Sequence, residues 1–141
     1  MQTVHGTVVA IDGRGVLLRG PSGSGKSDLA LRLIDEGAVL VADDRTVLAQ
    51  EDRHVMASAP ESIFGRIEVR GIGIIRIAAL DRIRLALIVD LASKVIERLP
   101  KPETAELQGV TLPLIRLSPF EASAPAKIRL AVRTEGHDIE H

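Results

Sequence analysis

The sequence predicts an α/β fold in which a mixed, β-rich sheet with few helices surrounds a phosphate-binding loop. Three observations lead there. Short apolar runs of strand length dominate the chain, only two stretches read as helical, and residues 20–27 set a glycine-rich loop between an apolar strand and a helix. A chain of 141 residues sits within the range of one domain and buries roughly 68% of its unfolded surface. A single domain over residues 1–141 is therefore expected.

Taken in order, residues 8–11 and 15–18 are apolar runs separated by Asp12, Gly13 and Arg14, and an Asp-Gly pair between β-prone segments predicts a hairpin. After the loop, residues 26–36 hold strong helix formers and no proline, which predicts a helix. Gly37 supplies the left-handed residue that ends helices, Asp28 puts negative charge in the first turn, and Asp28 can pair with Arg32 at i,i+4. Residues 38–42 form an apolar run ending at Asp43 and Asp44, completing a βαβ-like unit. Further strands are expected at 46–49, 55–57, 67–69, 72–77 and 85–91. Pro100, Pro102 and Pro113 then break the chain into turns, with one more strand at 111–117. Residues 122–133 read as helical with Pro125 near the start, and the polar tail EGHDIEH is expected to fray.

Composition excludes several functions. Eighteen basic and 19 acidic residues leave a net charge of −1, so no global field marks a nucleic-acid or anionic-membrane surface. Hydrophobic residues at 45% and a mean hydropathy of +0.18 suit a folded core. Without cysteine there is no disulfide, thiolate metal site or thiol nucleophile, which suits a reducing cytoplasm. The N-terminal residues lack a secretory pattern, and no apolar run approaches the roughly 20 residues of a membrane span. Two Phe and no Trp or Tyr leave no stacking platforms for single-stranded nucleic acid.

The chemistry is carried by Gly20, Pro21, Ser22, Gly23, Ser24, Gly25, Lys26 and Ser27, a full match to G-x-x-x-x-G-K-[ST] in the strand-to-helix context that the motif requires. Glycines let the backbone N–H groups turn inward, and the helix N-terminus adds partial positive charge, so the loop cradles phosphate oxygens. Lys26 would bridge the outer phosphates and Ser27 would ligate Mg²⁺. Such a site also needs a carboxylate near the metal and a group that deprotonates the nucleophile. Two strand ends offer one: Asp43-Asp44 after AVLVA, and Asp90 in LALIVDL. Spacing alone does not separate them, although adjacent carboxylates can divide the labour between ion and proton. Either strand end can instead simply begin a turn or cap the next element. On local grounds His5 reads as an ordinary, partly exposed histidine, and His54, His137 and His141 as solvated ones. In residues 61–75, Glu68 and Arg70 precede Gly71 and Gly73 in a β-rich stretch. This marks either a bulge or close approach at a site, or an edge strand with solvated charges.

His5-Gly6, the loop GPSGSGKS with its helix, LVADD at 40–44 and IEVRGIGII at 67–75 together resemble the HPr kinase/phosphorylase family, in order and in spacing. The last stretch is the most specific, and the similarity runs from about residue 4 to 91 and more loosely to about 133. The resemblance implies a P-loop kinase core that uses ATP and Mg²⁺, with pyrophosphate as a possible donor. Its target would be a serine of HPr, the phosphocarrier protein of the sugar phosphotransferase system, and many family members also remove that phosphate by phosphorolysis. It implies Asp44 as the general base, His5 as its catalytic partner, Lys26 and the loop as the ATP site, Ser27 and Glu68 as magnesium ligands, and Arg98 as the catalytic arginine. It further implies a cytoplasmic homo-oligomer, a hexamer in the family, with neither nucleic acid nor membrane as partner. Two departures from the family are expected: a catalytic domain without the family's N-terminal regulatory domain, since the resemblance starts at about residue 4, and residues 112–122 (LPLIRLSPFEA) in place of the family's Pro-, Gly- and Arg-rich C-terminal loop. Two other functions fit the loop alone: a P-loop phosphotransferase on a small metabolite with Asp90 as its metal carboxylate, and a non-catalytic nucleotide-binding regulatory module.

Overall fold

Along strand β2 (Thr7–Ile11) every residue is buried, and successive side chains alternate between two separate cores, Val8 and Ala10 in one, Val9 and Ile11 in the other. A strand with period-two side chains and both faces covered belongs in the middle of a layered fold. The computed structural model describes residues 1–92 and 96–134; His137 and His141 lie outside them.

Strand β1 (Gln2–His5) precedes β2, and β3 (Arg14–Arg19) returns antiparallel to β2 through Asp12 and Gly13 at φ 50° and 77°, the geometry of a type I′ hairpin. Helix α1 (Lys26–Asp35) follows the loop and buries Leu29, Ala30 and Leu33 at helical spacing. It closes as expected: the Gly37 amide donates to Ile34 O at 3.0 Å and the Ala38 amide to Leu33 O at 3.0 Å, the paired bonds of a Schellman cap. The remaining elements are β4 (Val39–Ala42), β5 (Arg45–Glu51), β6 (His54–Ser58), a 3₁₀ turn at Glu61–Ile63, β7 (Arg66–Val69), β8 (Gly73–Arg76), β9 (Ile83–Leu91), β10 (Glu103–Leu107), β11 (Val110–Leu117) and α2 (Ala124–Thr134).

Nine strands form one mixed sheet, in the order β1-β5-β6-β9-β3-β2-β4, with β11 pairing parallel to β9 and β10 antiparallel to β11. The βαβ-like unit is thus split: β3 and β4 run parallel, with β2 inserted between them and antiparallel to both. One face of the central strands packs on α1 and α2 through Val9, Val16, Leu18, Leu33, Val89 and Ile128. The other face packs on β5 and β6, which fold back over it and bury Leu48, Val55 and Ala57 against Val8, Leu17 and Ile88. Pro125 is the second residue of α2, where its missing N–H costs the helix nothing. Pro113 lies where β11 pairs with β10 alone, the β9 ladder beginning only at Leu114.

Three expectations are revised. The N-terminal residues form β1, and residues 103–107 form β10 where only turns were expected. Gly71 and Gly73, at φ 86° and 131°, have open space where a Cβ would stand; they shape the turn of the separate β7–β8 hairpin and mark neither a bulge nor a close approach. Among the described residues no helix is long and apolar enough to cross a membrane.

Candidate active site

Strands β3, β9 and β11 run parallel, so their carboxyl ends share one edge, the edge at which open α/β sheets bind ligands. The phosphate loop leaves that edge from β3. The Ser24 amide donates to Pro21 O at 3.0 Å, and Gly25 takes φ 98° at the N-cap of α1, with the Leu29 amide on Gly25 O at 2.9 Å. A residue with a Cβ is strained at that φ, so glycine here is a backbone requirement. Lys26 is only 6% exposed, and its Nζ donates to Gly20 O at 2.7 Å and Pro21 O at 3.0 Å. An ammonium has three donors, so one remains for an anion held in the loop. Within the loop, Ser24 Oγ is buried without a hydrogen-bond partner.

The first residue of the Asp43-Asp44 pair is 7% exposed and collects three donors. Asp43 Oδ1 accepts from Ser27 Oγ at 2.6 Å and from Thr7 Oγ1 at 3.1 Å, and Oδ2 accepts from the Glu68 amide at 2.9 Å. The hairpin that contains Glu68 is thereby tied to the loop, and the exposed Glu68 side chain branches from a residue bonded to Asp43. A hydroxyl and a carboxylate oxygen in contact are hard donors suited to Mg²⁺, which takes a few protein oxygens and completes its shell with phosphates and water. Among the described residues no cluster of three or more His, Cys, Asp or Glu side chains forms an all-protein cage.

Asp44 is exposed and sits at φ 66°. That left-handed conformation is uncommon outside glycine and tolerated best by Asn and Asp. Its backbone is held on both sides: its amide donates to Thr7 Oγ1 at 3.0 Å, and its carbonyl accepts from the Gly6 amide at 2.8 Å. Here the chain crosses between layers twice, from β1 to β2 at Gly6 and from β4 to β5 at Asp43 and Asp44, and Thr46 Oγ1 on Gly6 O at 3.0 Å fastens the crossings together. His5 pairs with Arg45 in the ladder, one residue from Asp44. The Asp44 carboxylate makes no hydrogen bond or ion pair with the described residues. Gly6 is fixed by space. A Cβ there would lie 2.6 Å from Leu17 Cδ1, in a side chain with no exposure. Gly6→Ala is expected to cost about 1–3 kcal/mol, read as a lowered midpoint in urea unfolding, because the core must move to admit the methyl group.

Asp90 is committed elsewhere. Arg19 forks onto it, Nε to Oδ1 at 2.7 Å and Nη2 to Oδ2 at 3.0 Å, and Arg116 Nη1 approaches Oδ2 at 3.8 Å. Arg116 also forks onto Glu103, and that hydrogen bonding holds the Glu103 carboxyl below its ordinary range. Both strand ends border the loop, but only the Asp43-Asp44 end is hydrogen-bonded to its Ser27, whereas the Asp90 carboxylate is taken up by arginines. Arg98 is exposed in the connection between β9 and β10, and no recorded contact among the described residues joins it to the cradle. Thr7 escaped sequence reasoning. Its signal was a lone hydroxyl in the otherwise apolar run TVVAI, and it is fully buried.

A parallel strand, a glycine-rich loop closed by its own lysine, and a helix whose first serine meets a strand-end aspartate define a P-loop protein of the kinase type. Comparison with known proteins narrows this further. A family model, HPr Serine kinase C-terminal domain, matches residues 1–128, and the chain belongs to that family. It superposes on the structure titled Hpr(Ser) kinase/phosphatase from Coxiella burnetii with a TM-score of 0.85 and 32% identity, over 100% of both chains. Curated HPr kinase/phosphorylases are similar over a short stretch: 51% identity over 39 residues in Mycoplasmopsis pulmonis and 58% over 40 residues in Bordetella pertussis. Each match takes in 28% of this chain and 13% of the relative.

Proposed function

We propose that this chain is an ATP- and Mg²⁺-dependent protein-serine kinase acting on the phosphocarrier protein HPr. The observation that carries the reading is the division of labour between adjacent carboxylates: buried Asp43 on the Ser27 hydroxyl, exposed Asp44 beside it and unpaired. The resemblance of the whole chain to a protein titled as a kinase/phosphatase of HPr supports the substrate.

The loop amides of residues 20–27 and Lys26 hold the phosphates of ATP in this reading. Mg²⁺ would be held by Ser27 with Asp43 and Glu68 beside it, and when bound it neutralises charge on the phosphate oxygens. The HPr serine oxygen attacks the γ-phosphorus. One O–P bond forms, the bond from that phosphorus to the β,γ-bridging oxygen breaks, and ADP leaves. Asp44 takes the serine proton, since an alcohol is a poor nucleophile until a carboxylate accepts it. By family resemblance, His5, paired with Arg45 in the ladder one residue from Asp44, is the catalytic partner of that carboxylate, and Arg98 supplies positive charge to the transferring group. In reverse, an oxygen of inorganic phosphate attacks the phosphorus of phosphoserine, the bond from that phosphorus to the serine oxygen breaks, pyrophosphate leaves, and protonated Asp44 returns its proton to the serine oxygen, so the same groups would run phosphorolysis. Pyrophosphate, which presents the same phosphates to the loop, is an alternative donor. The reading extends to a cytoplasmic homo-oligomer, a hexamer by family resemblance.

Incubation with ATP, Mg²⁺ and HPr is expected to add one phosphate to one HPr serine, checked by mass spectrometry of the intact protein and its peptides. Nucleotide bound without phosphoserine would leave a regulatory module; transfer to a small metabolite alone would leave a different phosphotransferase.

A further inference from the structure

We propose that Phe120, on the turn that follows β11, is the platform on which the base of the bound nucleotide stacks, and that Arg32 positions it. The proposal rests on the loop binding nucleotide phosphates. A nucleotide anchored by its phosphates must lay its base on a surface bordering the loop, and the carboxyl ends of β3 and β11 place the loop and residues 118–121 on the same edge. The two touch. A Cβ built on Gly25 would lie 3.0 Å from Phe120 Cζ, 3.2 Å from Cε1 and 3.3 Å from Pro119 Cβ.

Phe120 is nevertheless 70% exposed, among the most exposed of the large apolar residues. It rests an edge against the loop and presents the rest to solvent, which a core residue does not do. The second phenylalanine, Phe64, lies between the 3₁₀ turn and β7. The turn is also held rigidly. The Arg32 guanidinium donates to Pro119 O through Nη2 and to Glu121 O at 3.2 Å through Nη1, while its Nε donates to Asp28 at 3.2 Å. One side chain of α1 thus grips the carbonyls on both sides of Phe120. Fixing an exposed aromatic ring beforehand removes ordering entropy that a ligand would otherwise meet on binding.

Stacking acts on the base and not on the phosphates, and every base has a π-face. The test is calorimetric titration, with Mg²⁺, of ATP, GTP and inorganic tripolyphosphate into the full chain. Phe120→Ala is expected to weaken ATP and GTP by about tenfold or more, to leave tripolyphosphate within about twofold, and to be rescued by Phe120→Trp. Arg32→Ala should shift the nucleotides in the same direction by less and spare tripolyphosphate. Unchanged nucleotide affinity in Phe120→Ala, or equal weakening of nucleotides and tripolyphosphate, overturns the proposal while leaving the phosphate loop intact. Wild-type protein that binds none of the three overturns both.

Discussion

Replacing Asp44 by Asn is expected to lower phosphoryl transfer to HPr by about 10²–10⁴-fold, the contribution of a positioned general base. The amide is nearly the same size, and Asn tolerates φ 66° about as well as Asp, so the crossing at Gly6 should survive intact. Nucleotide affinity should also survive, because the Asp44 carboxylate makes no hydrogen bond or ion pair with the loop. Paired measurements make the test sharp: initial rates of phospho-HPr formation beside ATP titrations. Full transfer in Asp44→Asn would remove Asp44 as the base and send the search to its neighbour.

The second large effect belongs to Asp43. Asp43→Ala strips an acceptor from the Ser27 hydroxyl, the Thr7 hydroxyl and the Glu68 amide at once. Thr7 has no exposure, so water does not replace the lost partner, and a buried unsatisfied donor costs about 1–3 kcal/mol. Two readouts should move together: a lower urea midpoint, and loss of the Mg²⁺ dependence of ATP binding. A variant that unfolds earlier yet keeps its full Mg²⁺ response would make Asp43 a structural residue only. Asp44→Asn and Asp43→Ala are therefore opposite in kind, one affecting turnover with binding kept, the other affecting stability and metal response.

Legibility in the sequence followed the range of the interactions. The Asp12-Gly13 hairpin, α1 with its Gly37 cap and Asp28–Arg32 pair, and the strand–loop–helix setting of residues 20–27 are set by neighbours within a few residues, and the structure has each of them. The strands β1 and β10 were missed because both are short, polar and largely exposed; QTVH and ETAEL carry no apolar alternation, and only pairing with β5 and β11 makes them strands. The choice between Asp43-Asp44 and Asp90 was open for the same reason. Both end apolar strands, and what separates them is Arg19, 71 residues from Asp90 in sequence. Thr7 and Asp43 are 36 residues apart, and no local pattern announces their bond. The roles of Asp44 as base, His5 as its partner and Glu68 as a magnesium ligand are implied by the family resemblance and not by local physics.

The double crossing at Gly6 and Asp44 has a consequence for how the protein can be divided. One layer of strands brings the glycine-rich loop, the other brings β1 and β5, and Asp44, the proposed base, stands on the stitch between them. On the proposed function, no excised half of this chain would hold both the cradle and its base. On that reading, a partly melted molecule that has shed β1 and β5 would keep the loop on β3 and lose the placement of its base.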